Sequence, residues 1–373
     1  MVDIVVLSSN SVIYNVRVRK IVRSLRKKYS ISVLGWNRES VCSEKIHSFL
    51  VDLALFSLKA PYGKPSLILY YPLFWTWLVL RLFKYRPKIV HACDLDTLIP
   101  GLMYKLFFRK RLIFDVFDRF SGYVPLKFKK LYSLVTWFEE FLCTKADVMI
   151  TVTPKVLGTF RMKPSSCNVI MNYSEDSPII SNRKERIDNE NNNKKKDDVF
   201  NLVYTGHIER NYGLEKIISA IDGLDNVRLA IAGRVVDKEF FDRIVKVKNV
   251  EYKGLMEHND ALVLEVSSDV LIVLYDVKYP VANLSSPNKI FEGMMLGLPI
   301  ITNMERKLVT EVGCGIIVDY DDLNQIKAAV IHLRDNIELR RTLGNNGRRA
   351  FLQKYNWSVM EEDLYKIYHT LIL

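Results

Sequence analysis

Residues 285–303 read SSPNKIFEGMMLGLPIITN, a polar loop that runs into a short helix and then into an apolar strand. Ser285 and Ser286 are helix-capping types and Pro287 suits a first helical turn, so the amides that follow lack intrahelical partners and can hold an anion. Lys289 adds a positive charge beside them. Glu292 falls within the next turn, close enough to meet a hydroxyl on the same ligand, while Phe291, Met294 and Met295 form the buried side. Gly297 ends the helix and PIIT begins the next strand. The same spacing also describes a capped helix that packs and does nothing else.

Outward from this segment, short apolar strands alternate with longer amphipathic stretches, the pattern of βαβ units and parallel sheets. DIVVLSS reads as strand one, VRVRKIVRSLRKK as the helix after it, ISVLGW as strand two, KIVHAC as strand three, RLIFDVF as strand four and VMITVT as a further strand. The run NYSEDSPIISNRKERIDNENNNKKKDD has almost no apolar content, and its length marks a domain boundary. Beyond it the alternation restarts with VFNLVYTG and ends in two helices. The expected organisation is α/β, two doubly wound parallel-sheet domains: an N-terminal domain over 1–173, a polar linker over 174–198, a C-terminal domain over 199–352, and a terminal helix over 353–373 that crosses back.

The chain has 373 residues, enough for two full cores. Its five cysteines, Cys42, Cys93, Cys143, Cys167 and Cys314, form no CxxC pair, which fits a reducing, cytoplasmic setting without disulfides or structural zinc. The start MVDIVVLSSN lacks the basic and cleavage features of a signal peptide. Residues 1–173 hold 27 Lys and Arg against 11 Asp and Glu, while the remainder holds 27 against 31. The basic half therefore meets something anionic. No nucleic-acid module is visible, so an anionic membrane surface at the inner face of the cell is the expected partner.

The longest apolar run, LILYYPLFWTWLVL from Leu67 to Leu80, has 14 residues and contains Pro72, whereas a spanning helix needs about 20. RLFKYRPK follows, setting Trp75 and Trp77 near Arg81, Lys84, Arg86 and Lys88. This reads as a buried helix with a basic exit and, compatibly, with KFKKLY at 127–132, as an interfacial element.

Four strand ends in the second half carry small or polar residues: Thr205, Gly206 and His207 with Arg210 in the loop beyond, then Gly233 and Arg234, then Gly254, then the Ser286, Asn288, Lys289 and Glu292 segment. Backbone free of side chains at consecutive strand ends suits a nucleotide diphosphate. Asp94 and Asp96 form a DxD after a strand, which reads as helix capping and not as a metal site. His91 and Cys93 read as core residues.

SPNKIFEGMMLGLPII resembles the donor-binding signature of the glycosyltransferase family 4 type enzymes, which have the GT-B architecture. NVRVRKIVRSL, VHACDLDTLIPGLMYK, LIFDVFD, VYTGHIERNYGLEKIISAI and GRRAFLQKYNWSVMEEDLYKIY extend the resemblance over most of the chain outside the linker and the Trp-rich segment. It implies two Rossmann-like domains facing across a cleft, donor on the second and acceptor on the first. It also implies retaining sugar transfer from a nucleotide sugar, a UDP-sugar before a GDP-sugar, with no cofactor or metal required.

Carried over by position, Glu292 binds ribose hydroxyls, the Ser286, Asn288 and Lys289 loop lies against the diphosphate, and Gly206 leaves room for phosphates. Lys289 then stabilises the leaving group as charge develops. Asp115 and Asp118, at the end of a strand, read as orienting the acceptor hydroxyl or as turn-forming structural residues. The departures are Leu284 where many members have a second glutamate, His207 and Tyr212 where they have arginine and lysine, and Phe117 where they have a cleft histidine. Cationic help then falls to Arg210, Arg234 and Lys289. The acceptor implied is lipid-linked or a polysaccharide precursor. A catalytically degenerate partner subunit and a sugar-nucleotide epimerase are the alternative readings.

Overall fold

The structure is a computed structural model and describes residues 2–9, 12, 15–38, 52–61, 65–124, 128–177, 199–278 and 287–372. The chain divides into two compact units, one of Met1–Asn172 with Met360–Leu373 and the other of Tyr173–Val359.

The first unit is built on a seven-stranded sheet in the order β3-β2-β1-β4-β5-β6-β7. Its strands are β1 (Ile4–Ser8), β2 (Ile31–Trp36), β3 (Asp52–Phe56), β4 (Ile89–Cys93), β5 (Arg111–Val116), β6 (Val148–Thr151) and β7 (Ser166–Val169), all paired in parallel. β1 and β2 are buried at every position, which is why they read as unbroken apolar runs. The Val16–Leu25 helix follows β1. Asn15 caps it by accepting from the Val18 amide at 3.1 Å, and Val18, Ile21, Val22 and Leu25 form its buried stripe. Two edge strands, β3 and β7, escape the sequence reading, so the strands expected third and fourth are β4 and β5.

The second unit carries a six-stranded sheet in the order β10-β9-β8-β11-β12-β13. These strands are β8 (Phe200–Thr205), β9 (Val227–Ala232), β10 (Val250–Tyr252), β11 (Val270–Val273), β12 (Ile300–Thr302) and β13 (Gly315–Ile317), again all parallel. Phe240, Leu214, Ile217, Leu229 and Ile272 lie in its buried core. Both sheets reverse their winding once, at β1/β4 and at β8/β11, and in such sheets ligands bind beyond the strand C-termini at that point.

The C-terminal part holds three helices where the sequence suggests two: Leu323–Asp335, Ile337–Gln353 and Trp357–Ile372. The last begins in the second unit and continues in the first, where Glu361 pairs with Lys27 at 2.7 Å and the Tyr365 hydroxyl donates to the Ser24 carbonyl at 2.8 Å. Of the stretch read as linker, residues 174–177 pack within the second unit. Ser174 bridges to Asn356, and Asp176 accepts two bonds from Arg348 at 2.8 and 3.0 Å. Residues 178–198 lie outside the described residues.

The Trp-rich run folds as the Tyr71–Tyr85 helix, with Tyr71, Phe74, Leu78 and Leu82 buried. Trp75 donates its indole N–H to the Asp96 carbonyl at 2.6 Å, and Trp77 packs against Phe56 and Phe74. The tryptophans therefore serve the packed side of this helix, as the buried-helix reading expects. Among the described residues no helix is long and apolar enough to cross a membrane.

Candidate functional site

In the second unit the ends of β8, β9 and β10, on one side of the winding reversal, are tied to one another. The Gly206 amide donates to the Ala232 carbonyl at 3.0 Å and the Gly233 amide to the Gly254 carbonyl at 2.9 Å. Tyr204 and Tyr252 buttress the loops through hydroxyl donation to the carbonyls of His207 (2.6 Å) and Gly233 (3.0 Å). Gly233 has φ of 133°, and a Cβ there would lie 1.9 Å from the Gly206 carbonyl oxygen. Only glycine fits that approach. His207 is exposed over this ledge, with Tyr212 and then Tyr275 behind it in edge-to-face contact, ring centroids 6.3 and 5.0 Å apart.

Helix Asn288–Leu296 stands next to the ledge. Pro287 occupies its cap position with φ of −61° and ψ of 120°, one place earlier than expected, and Gly297 closes it at φ of 64°. Asn288 is exposed at the first turn and Glu292 is buried. Ser286, with Leu284 and Ser285, lies outside the described residues.

Lys289 does not present a free ammonium to an anion, which corrects its expected role. Its Nζ sits 2.7 Å from Glu265 Oε1 and 2.5 Å from Glu292 Oε2, with the side chain 21% exposed. The Thr205 hydroxyl donates to the same Glu265 oxygen, so the end of β8 and two helices meet in one cluster. Burial alone would lower the Lys289 pKa, but the two carboxylates hold it above the ordinary lysine range. Burial pushes the Glu265 carboxyl up, against the pull of Lys289. Glu265 Oε2 has no hydrogen-bond partner among the described residues.

Glu265 is the residue that sequence reading missed. Its signal is an acid between the buried Leu262 and Val266 on the inward face of the His258–Val266 helix.

The other expected donor residues divide. Gly206, His207, Gly233 and Gly254 share the ledge, and Arg234 is exposed just past Gly233. Arg210 is held by Asp237 at 2.9 Å and Glu239 at 3.8 Å, so its charge is already matched.

In the first unit Asp115 is fully buried at the end of β5. Arg17 donates to both its oxygens, at 3.1 and 2.8 Å, and a third guanidinium bond goes to the Ile170 carbonyl at 2.7 Å. His91 lies between Asp115 Oδ2 at 3.2 Å and the Tyr368 hydroxyl at 2.6 Å. A ring protonated on Nε2 donates to Asp115 and accepts from Tyr368. Burial raises the Asp115 pKa, yet Arg17 and His91 bring it below the usual carboxylate range. Asp115 is therefore an anchor joining five parts of the unit, and it is not placed to orient an acceptor. Asp118, two residues beyond β5, is half-buried.

Asp94 occupies the cap position of the Leu95–Phe108 helix at φ of 65°, but its side chain makes no capping bond and accepts instead from the Phe117 amide at 2.9 Å. Burial, then the neighbouring Asp96 charge, raises its pKa well above normal. Asp96 accepts from the Tyr71 hydroxyl at 3.0 Å. The DxD thus ties loops together and does not cap. No group of three or more metal-capable side chains exists among the described residues.

Residues 199–336 match the family model described as glycosyl transferases group 1. An uncharacterized glycosyltransferase of Methanocaldococcus jannaschii is 22% identical over 300 residues, covering 74% of this chain and 73% of that one. The capsular polysaccharide biosynthesis glycosyltransferase CapM of Staphylococcus aureus is 24% identical over 185 residues, 47% of each chain. HepE from Anabaena, solved in complex with UDP and glucose, superposes with a TM-score of 0.75 at 12% identity, over 99% of this chain and 100% of that one.

Proposed function

We propose, for a chain whose residues 199–336 match the group 1 glycosyl transferases model and which has the GT-B fold, that it moves a sugar from a nucleotide diphosphate donor to a lipid-linked or polysaccharide-precursor acceptor. In this reading transfer is retaining and needs no metal, and it takes place at the cytosolic face of the cell membrane. The UDP bound by HepE supports a UDP-sugar, and the capsular role of CapM supports a polysaccharide precursor.

The observation that carries the reading is the Glu265–Lys289–Glu292 cluster beside the bare ledge of Gly206 and Gly233. A carboxylate is the natural acceptor for a vicinal diol, and Glu292 takes the ribose hydroxyls. Lys289 fixes its rotamer from one side while Glu265 fixes Lys289 from the other, so Glu265 acts as a positioning residue. The diphosphate lies against the first-turn amides near Asn288 and the ledge backbone, where fixed dipoles meet the charge that develops on the leaving group. His207 and Arg234 stand at its edge, Gly254 keeps the third loop clear, and Asp118 is the acceptor-side candidate.

Calorimetric titration with UDP and with GDP, without added metal, tests this on the wild type and Glu292→Gln. One nucleotide is expected to bind, and the substitution to weaken it about tenfold to a hundredfold, the worth of a hydrogen bond to a charged group. Equal binding by the two proteins would remove Glu292 from the site. Binding without donor turnover favours the degenerate-partner reading, which the engagement of Lys289 by two carboxylates keeps in view.

A further inference from the structure

Three neighbouring helices of the first unit, Tyr71–Tyr85, Leu95–Phe108 and Lys129–Cys143, turn apolar side chains to solvent. Leu106 is 80% exposed, Phe107 70%, Leu134 59% and Trp137 55%, and Leu80 and Phe83 continue the face. Phe83 packs on Phe107 and Phe108 at centroid distances of 5.7 and 4.8 Å, so the first two helices present one surface.

The third helix is inside out. Its buried residues are Glu139, Glu140 and Cys143, while Leu131, Leu134, Trp137, Phe138 and Phe141 face outward. Both glutamates turn inward to Arg119, at 3.2 and 3.0 Å, and to the amides of Phe120 (2.9 Å) and Met162 (3.3 Å). An ordinary surface helix does the reverse.

Charge completes the pattern. The three helices contain only three acids, Asp96, Glu139 and Glu140, and all are buried. Around the apolar face Lys84, Arg86, Arg109, Lys110, Lys129 and Lys130 are exposed. A second copy of this chain would bring the same cations face to face, which is unfavourable at short range. An anionic bilayer offers what both parts require: acyl and interfacial depth for Trp137 and the leucines, and phosphates for the basic rim.

We infer that this three-helix face docks on an anionic lipid surface, with Leu106, Phe107, Leu134 and Trp137 inserted at headgroup level. The inference deepens the membrane part of the proposed function and is independent of the donor site.

Flotation of the full chain with phosphatidylcholine vesicles, with and without phosphatidylglycerol, is the test. The wild type is expected to float with the anionic vesicles and to be released by salt. Leu134→Ser with Trp137→Ser, and separately Lys129→Glu with Lys130→Glu, are each expected to weaken binding about tenfold or more, with nucleotide binding unchanged. Loss of nucleotide binding alone would touch the proposed reaction and leave the docking face standing. The inference is overturned if the wild type floats with neither vesicle, if both double variants float as it does, or if the wild type is a dimer that Leu134→Ser with Trp137→Ser converts to monomer.

Discussion

Asp115→Ala is expected to destabilise the first unit by about 3–5 kcal/mol, the range found when one partner of a buried ion pair is removed. Arg17 has 2% of its side-chain surface exposed and donates to both Asp115 oxygens. Without the carboxylate its guanidinium keeps the Ile170 carbonyl and the Phe117 ring, 5.3 Å away, among the described residues, and His91 loses the acceptor that orients it. Two compact units do not define one unfolding free energy, so hydrogen exchange of the β4 and β5 amides is the local measurement. Protection falling by less than about tenfold would show that the cluster is not the anchor the geometry describes. Arg17→Met combined with Asp115→Leu should recover much of the loss, because it removes both charges together.

The pH dependence has a definite sign. The folded pKa of Asp115 is depressed, so its contribution is fully present above the ordinary aspartate value of about 3.9 and disappears as pH falls through the lower folded value. Wild type and Asp115→Asn should therefore differ at neutral pH and converge in acid below about pH 4.

The parts legible in sequence are those whose cause is local. β1, β2 and β8 read as strands because both faces of a parallel strand are buried. β3, with the sequence DLALF, and β7, with SCNV, are edge strands with exposed or half-buried faces, and they lack that signature. Gly206 and Gly233 were visible because only glycine accepts such backbone, and the residue type reports the geometry. The ion clusters were not. Asp115 lies 98 residues from Arg17, and His91 lies 277 from Tyr368, and nothing local records the pairing. The helices of the exposed apolar face fail for another reason. The Tyr71–Tyr85 helix is apolar almost all round, so sequence does not reveal which side faces in. The buried stripe of Tyr71, Phe74, Leu78 and Leu82 draws Trp75 and Trp77 toward the packed side and leaves Leu73 and Leu80 out. Trp137 is outward because its neighbours Glu139 and Glu140 are claimed by Arg119.

Gly233→Ala should have the largest effect on the donor ledge, and Gly254→Ala shows why. Both positions have positive φ, 133° and 91°, so alanine at either carries a backbone cost of about 1–3 kcal/mol. At Gly254 a Cβ meets nothing within 4 Å, and that cost is the whole expectation. At Gly233 the Cβ would fall 1.9 Å from the Gly206 oxygen and 2.8 Å from its carbonyl carbon, and backbone has no rotamer by which to yield. The β8 and β9 exit loops must then separate, which strains the bonds from Gly206 to Ala232 and from Gly233 to Gly254 and shifts His207 with them. Gly233→Ala should therefore weaken nucleotide binding at least about tenfold beyond Gly254→Ala, because overpacking adds about 1–3 kcal/mol to the dihedral cost. Calorimetry on the two variants measures the difference directly. If they bind alike, the close approach of the two loops is not what shapes the site, and the role of the ledge reduces to backbone conformation at separate strand ends. If Gly233→Ala alone fails, the loops act as one rigid surface, and in the proposed function Glu292 then takes the ribose only while that surface stays closed.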